Sequence, residues 1–85
     1  MHDDALAAEA GRGGKAAMEL LVLRYYDEIY AYAVRRTGSA QAAQDIAQTV
    51  FEKLVCALPR YRPCGRFRPF LFTIVCNAVR DHFRR

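Results

Sequence analysis

Between residues 59 and 85 the chain carries seven arginines against one acidic side chain, Asp81, and sets them among rings: Arg60, Tyr61, Arg62, Arg66, Phe67, Arg68, Phe70, Phe72. That alternation suits a polyanion with flat bases, because a guanidinium fork grips phosphate oxygens while a ring face accepts an unstacked base. Further on, Thr73, Asn77, Arg80 and Arg84 recur at i, i+4, i+7 and i+11, so one side of a helix could offer them to base edges or phosphates. A second polar row, Gln41, Asp45, Gln48 and Glu52, lies opposite an apolar face of Ala43, Ile46, Ala47, Val50, Phe51, Leu54 and Leu58. Taken by itself, such a stripe reads first as a face wetted by water, and otherwise as one that holds something.

The net charge of +4 conceals a division. Residues 1–58 hold six Lys and Arg against eight Asp and Glu, whereas residues 59–85 hold seven Arg against Asp81 alone. Such polarity points to a polyanionic partner at the C-terminal third, with a solubilising basic tail as the alternative. Catalysis is not expected, since no Ser/His/Asp or Cys/His spacing and no phosphate-cradling glycine loop is present, and no cofactor is implied. Cys56, Cys64 and Cys76 lie eight and twelve residues apart, which matches no C-x-x-C pattern and predicts reduced, buried or partly buried thiols. A zinc site from Cys56, Cys64 and His82 is conceivable, but nothing in the spacing favours it. The N-terminus opens acidic and no apolar run could span a bilayer, so neither a signal peptide nor membrane insertion is expected and the chain is read as cytoplasmic.

Those rows need helices to present them. With 85 residues and 53% hydrophobic composition, one small domain with a packed core is expected. Ala5 to Ala10 suits a short helix, stopped by Gly11, Gly13 and Gly14. A long helix follows from Lys15 to Thr37 on the period of Met18, Leu21, Val22, Tyr25, Ile29 and Tyr32, with Gly38 as its stop. Ser39 caps the next helix, Ala40 to Leu58, and Pro59 ends it. Residues 59–68 read as an ordered loop, and Pro69 suits the first turn of a last helix striped by Leu71, Ile74, Val75 and Ala78. No stretch alternates as strands do. The reading is all-α: a compact three-helix bundle with a short additional N-terminal helix and an ordered loop between the last two helices. Leu20, Leu23, Tyr30 and Val34 form a second apolar strip on the long helix, a docking surface unless the short helix covers it.

Taken together, ALAAEAGRGGKAAMELLVLRYYDEIYAYAVRRTGS, AAQDIAQTVFEKL and FRPFLFTIVCNAVRDHFRR resemble the second conserved domain of bacterial sigma factors of the extracytoplasmic-function type, from about Ala5 to Arg85. The most specific part is A-x-D-x-x-Q-x-V-F at Ala43, Asp45, Gln48, Val50 and Phe51, followed by F-L-x-x-I-x-x-N at Phe70, Leu71, Ile74 and Asn77, then Asp81 and Arg84. The resemblance implies that the second helix docks on the coiled-coil clamp helices of the RNA polymerase β′ subunit, with Asp45 and Gln48 as docking groups flanked by Gln41 and Glu52. It further implies a partner in the minus-ten promoter element, melted and held as a single non-template strand. Arg60, Tyr61, Arg62, Arg66, Phe67 and Arg68 of the loop and Thr73, Asn77, Arg80 and Arg84 of the last helix are the DNA-binding candidates, Tyr61 being the better exposed ring; core anchoring is the alternative for Phe67 and Phe70, a helix-packing amide for Asn77 and a frayed terminus for Arg84. An anti-sigma factor is a further implied partner, and set against the resemblance these residues are expected to hold the second domain alone, without the minus-thirty-five-binding domain of the family. Two other classes share these features. A duplex-binding helix-turn-helix regulator would join its last helices by a turn of about three or four residues, shorter than the ten of Pro59 to Arg68; a helical protein-interaction module would use the apolar strip.

Overall fold

The order of elements follows the stop and start signals closely. The computed structural model describes residues 2–84. It contains α1 (Asp3–Gly11), α2 (Lys15–Thr37), α3 (Ala40–Ala57), a 3₁₀ turn (Leu58–Arg60) and α4 (Phe67–Phe83). Arg85, the last residue of the resemblance, lies outside the described residues. Among those that are described there is no strand, and the all-α expectation holds.

Each boundary has a local cause. The His2 ring caps α1 by accepting the Asp4 N–H at 3.4 Å, and Asp3 and Asp4 place negative charge at the positive end of the helix dipole. Arg35 and Arg36 complement the other end of α2, where the Gly38 N–H donates to the Val34 carbonyl. The Ser39 hydroxyl accepts the Ala42 N–H at 3.1 Å and starts α3. Pro59 does not break the chain into a loop at once; it sits inside the 3₁₀ turn that continues α3. Helix α4 begins at Phe67, two residues ahead of Pro69, which occupies the first turn where a missing N–H costs nothing. The link from α3 to α4 is therefore Leu58 to Arg66, and only residues 61–66 are irregular.

Every buried side chain among the described residues is hydrophobic. Leu21 and Ile29 of α2, Val50 and Leu54 of α3, and Leu71 and Val75 of α4 are sealed from solvent, joined by Leu58 and Phe67. On α4 the stripe turns slightly from expectation: Val79 is buried, while Ile74 is only partly covered. The short helix is built into this core. Its Leu6 and Ala7 are buried, and it packs on α2, the 3₁₀ turn, α3 and α4. Burying a leucine stabilises by about 1.5–3 kcal/mol, a large share for a domain this small. Gly11 lets α1 approach closely, because a Cβ there would lie 2.8 Å from the Leu58 carbonyl oxygen.

The cysteines correct the reading. Cys56, Cys64 and Cys76 are free and all three are exposed, because each falls beside its helix stripe or out in the loop. Among the described residues no three His, Cys, Asp or Glu side chains gather into a metal site, so Cys56, Cys64 and His82 are not assembled as one. No helix of the described residues is long and apolar enough to cross a membrane.

Candidate nucleic-acid and partner interfaces

Loop residues 61–66 leave the 3₁₀ turn extended and return at the start of α4, so their side chains project beside the N-terminus of that helix. Arg60, Arg62 and Arg66 are exposed and make no ion pair among the described residues. Three unpaired cations in a short segment are a ready seat for phosphate.

The aromatic residues divide differently from expectation. Phe67, proposed as a base-contacting ring, is 2% exposed. As the first residue of α4 it points into the bundle, with its ring 5.8 Å from both Tyr25 and Tyr61 and 6.2 Å from Phe70. It is a core anchor and cannot face DNA. Tyr61 is half-buried rather than freely offered: its ring lies 4.6 Å from Phe70, and its hydroxyl donates to Asp4 Oδ1 at 2.8 Å. Desolvation first, and the Asp4 bond second, push the Tyr61 phenol up to about 12. Asp4 also accepts the Gly65 N–H on its other oxygen.

Arg68 departs from the free arginines. Its guanidinium donates to Glu28 through both nitrogens, one at 2.8 Å, and lies 4.7 Å over the Phe72 ring. The Glu28 bond raises the Arg68 pKa, and the same bond holds the Glu28 carboxyl below its usual range. This arginine is occupied within the fold.

On α4 the row Thr73, Asn77, Arg80 and Arg84 is exposed along one side, as its spacing predicts. Thr73 turns its hydroxyl to the Pro69 carbonyl at 3.0 Å, and Arg84 stands 3.9 Å from Asp81. Helices α2 and α4 lie side by side in the same direction, with Tyr25 at Phe67, Glu28 at Arg68, and Tyr32 at Phe72 and Cys76. That arrangement brings in residues the sequence reading passed over. Tyr32 and Arg36 of α2 line a groove with Cys76, Arg80 and Phe83, and the Arg36 guanidinium donates to the Tyr32 hydroxyl at 2.8 Å. The signal in the sequence is Arg35 and Arg36 at the end of α2, which the net negative charge of the first 58 residues hides.

The row on α3 is outward. Gln41, Asp45, Gln48 and Glu52 are all exposed, and they bond only along their own helix: Gln41 to Asp45 at 3.2 Å and Gln48 to Glu52 at 3.4 Å. Asp45 also borders a shallow groove toward α4, with Thr49, Lys53, Asp81 and His82 around it. A single acid in reach of amides and open to solvent can accept from a basic partner helix at little desolvation cost.

Comparison with known proteins gives one consistent result. Residues 21–85 match Sigma-70 region 2. The chain is 39% identical over 81 residues to the RNA polymerase sigma-H factor of Pseudomonas aeruginosa, covering 95% of this chain and 42% of that protein. It is 35% identical over 86 residues to the ECF RNA polymerase sigma factor SigD of Mycobacterium tuberculosis, covering 95% and 41%. It is 33% identical over 72 residues to the RNA polymerase sigma factor CarQ of Myxococcus xanthus, covering 85% and 41%. The chain thus spans about two fifths of the length of these curated relatives. No solved structure matches it.

Proposed function

The chain belongs to the Sigma-70 region 2 family, and on that premise we propose that it seats on core RNA polymerase through the outer face of α3 and receives unpaired bases of the minus-ten promoter element beside α4. The role is that of a non-enzymatic initiation factor working in the cytoplasm. No bond is made or broken; strand opening is favoured because the opened strand is held.

Opening a base step costs a few kcal/mol, which stacking and phosphate contacts on the protein must offset. The observation that carries the reading is the exposed trio Arg60, Arg62 and Arg66, at the end of the 3₁₀ turn and on the loop anchored by Phe67, next to the outward row Thr73, Asn77, Arg80 and Arg84. The arginines neutralise the non-template backbone, while the partly exposed Tyr61 and Phe70 rings border the place where a flipped base is received. Asn77 and the α4 arginines read or grip the nucleotides upstream. Asp45 and Gln48, with Gln41 and Glu52 beside them, meet the β′ clamp helices. An anti-sigma factor would find Leu20 and Leu23, 44% and 76% exposed, on α2; co-purification with the product of the neighbouring gene tests that partner.

The test is a comparison of strands. A randomised single-stranded library captured on the chain with core polymerase supplies a probe, which is then measured as single strand and as duplex. Preference for the single strand is expected, and Arg62→Ala should lower the salt slope of binding by about 0.7. Preference for intact duplex would turn the reading toward a helix-turn-helix regulator, though the link from Leu58 to Arg66 is longer than that motif's turn of about three or four residues.

A further inference from the structure

An acid stands where a polyanion is to bind. Asp4 lies beside the arginine-rich loop, where a carboxylate repels phosphate, so its presence there calls for another role. Both of its oxygens are turned onto the loop: one accepts the Tyr61 hydroxyl at 2.8 Å and the other the Gly65 N–H. Those partners are 57 and 61 residues away in sequence. Gly65 has φ +78°, a left-handed conformation that turns the loop back toward α4 and suits glycine alone without strain.

Asp3, next to it, acts on the other side of the same anchor. It accepts from the Tyr25 hydroxyl and from Arg24 at 2.7 Å, and the Tyr25 ring packs on Phe67. Burial works to raise the Asp3 carboxyl, but the bonds from Tyr25 and Arg24 outweigh it and hold the group below its usual range. At the far end of α1, Gly11 seats against the Leu58 carbonyl. The short helix therefore touches the segment between α3 and α4 at its beginning, through Gly11, and at its middle, through Asp4.

We propose that Asp4 is a positioning residue for strand capture: it latches loop 61–66 to α1 in the shape that receives DNA, so single-strand affinity depends on a helix that itself need not touch the nucleic acid. The inference rests on the base-capture reading given above. It deepens that reading by naming what preorganises the loop.

The test uses the chain with core RNA polymerase, the library-derived single-stranded probe, and amide hydrogen exchange. Asp4→Ala removes both acceptors, Asp4→Asn keeps one, and Tyr61→Phe removes one donor while leaving the ring. In Asp4→Ala the Gly65 amide should exchange about tenfold faster while α2 and α3 amides keep their protection, and probe affinity should fall about three- to tenfold. Asp4→Asn should fall between, which keeps the test intact if the alanine variant folds poorly. Asp4→Ala and Tyr61→Phe should be non-additive, as partners in one contact are. Affinity for core polymerase should not change. Read at a salt concentration that screens the lost Asp4 charge, faster Gly65 exchange with undiminished probe affinity would overturn the positioning role, and so would unchanged exchange. Failure of the wild-type chain to prefer the single strand is a separate result: it sinks the base-capture reading before any variant is made.

Discussion

The outer face of α3 and the loop before α4 are the two surfaces proposed above to meet partners, and they are maintained in different ways. On α3, Gln41 bonds Asp45 and Gln48 bonds Glu52, each four residues along the same helix. That surface exists wherever α3 is helical. The loop draws on distant sequence: Tyr61 and Gly65 on Asp4, Phe67 on Tyr25, Leu58 against Gly11. The difference teaches that the outer surface of a helix can be encoded locally, while an irregular segment between helices is shaped by tertiary contacts from the opposite end of the chain.

The strongest way to break this contrast is to remove the loop's anchor. Phe67→Ala should cost about 3–5 kcal/mol, as buried aromatic truncations do, read as a lower urea midpoint in denaturation followed by circular dichroism. Against a typical total of about 5–15 kcal/mol that is a large part of the stability of the domain. An unmoved midpoint with weakened DNA binding would return Phe67 to the role of a base-contacting ring.

Asp45→Arg tests the other side. Stability should stay within about 0.5 kcal/mol, because the side chain is exposed and its one side-chain bond is to the exposed Gln41 amide. Retention by core polymerase on gel filtration should weaken at least about tenfold, or roughly 1.4 kcal/mol, with Gln48→Ala giving a smaller loss. Retention equal to wild type in both variants would remove the docking assignment and leave the α3 row as a wetted surface.

The same contrast explains how much could be read in advance. Helix α2 has the bounds its period and Gly38 predict, and α3 starts at the residue after Ser39, because caps and stripes are local. The outward positions of Asp45, Gln48, Asn77 and Arg80 follow from the same arithmetic. For Phe67 the sequence leaves two readings open, because alternating rings and arginines describe a stacking surface and a core anchor equally well; its burial at the start of α4 decides for the anchor. The thiols were misread through the usual burial of cysteine, although the α3 stripe at Ala43, Ile46, Ala47, Val50 and Leu54 leaves no place for Cys56 on the inner side. The Asp4 contacts had no signal at all. Two acids at a helix start look like dipole complements until the fold brings Tyr61 to them.

Alkaline titration sharpens the contrast at smaller scale. Tyr25 and Tyr61 are both pushed up to about 12, by burial first and by their bonds to Asp3 and Asp4 second. Since an unperturbed tyrosine ionises near about 10, the stabilisation from these phenols is complete below that pH and is lost as pH rises toward the folded value. Tyrosinate absorbance should therefore show these two rings titrating late, with Tyr61→Phe removing one of them. Residues 41–52 contain no tyrosine, so loop amides should lose protection from exchange before those of α3. Simultaneous loss would mean that the loop is no more dependent on its phenols than the helix is.

The smallest expected effect concerns Arg68, which sits among loop cations yet is paired. Its bond to Glu28 is exposed on both sides, 56% and 42%, so Glu28→Gln should change stability by less than about 1 kcal/mol. What it should change is the charge available to DNA. Released from Glu28, Arg68 joins Arg60, Arg62 and Arg66 in facing phosphate, and the salt dependence of single-strand binding should steepen by about 0.7, one added phosphate contact. Arg68→Ala in the wild-type background should leave that slope where it is, because an occupied guanidinium releases no counterion. If Arg68→Ala instead flattens the slope as Arg62→Ala does, the Glu28 pair must yield to DNA on binding, and the loop carries four working cations rather than three.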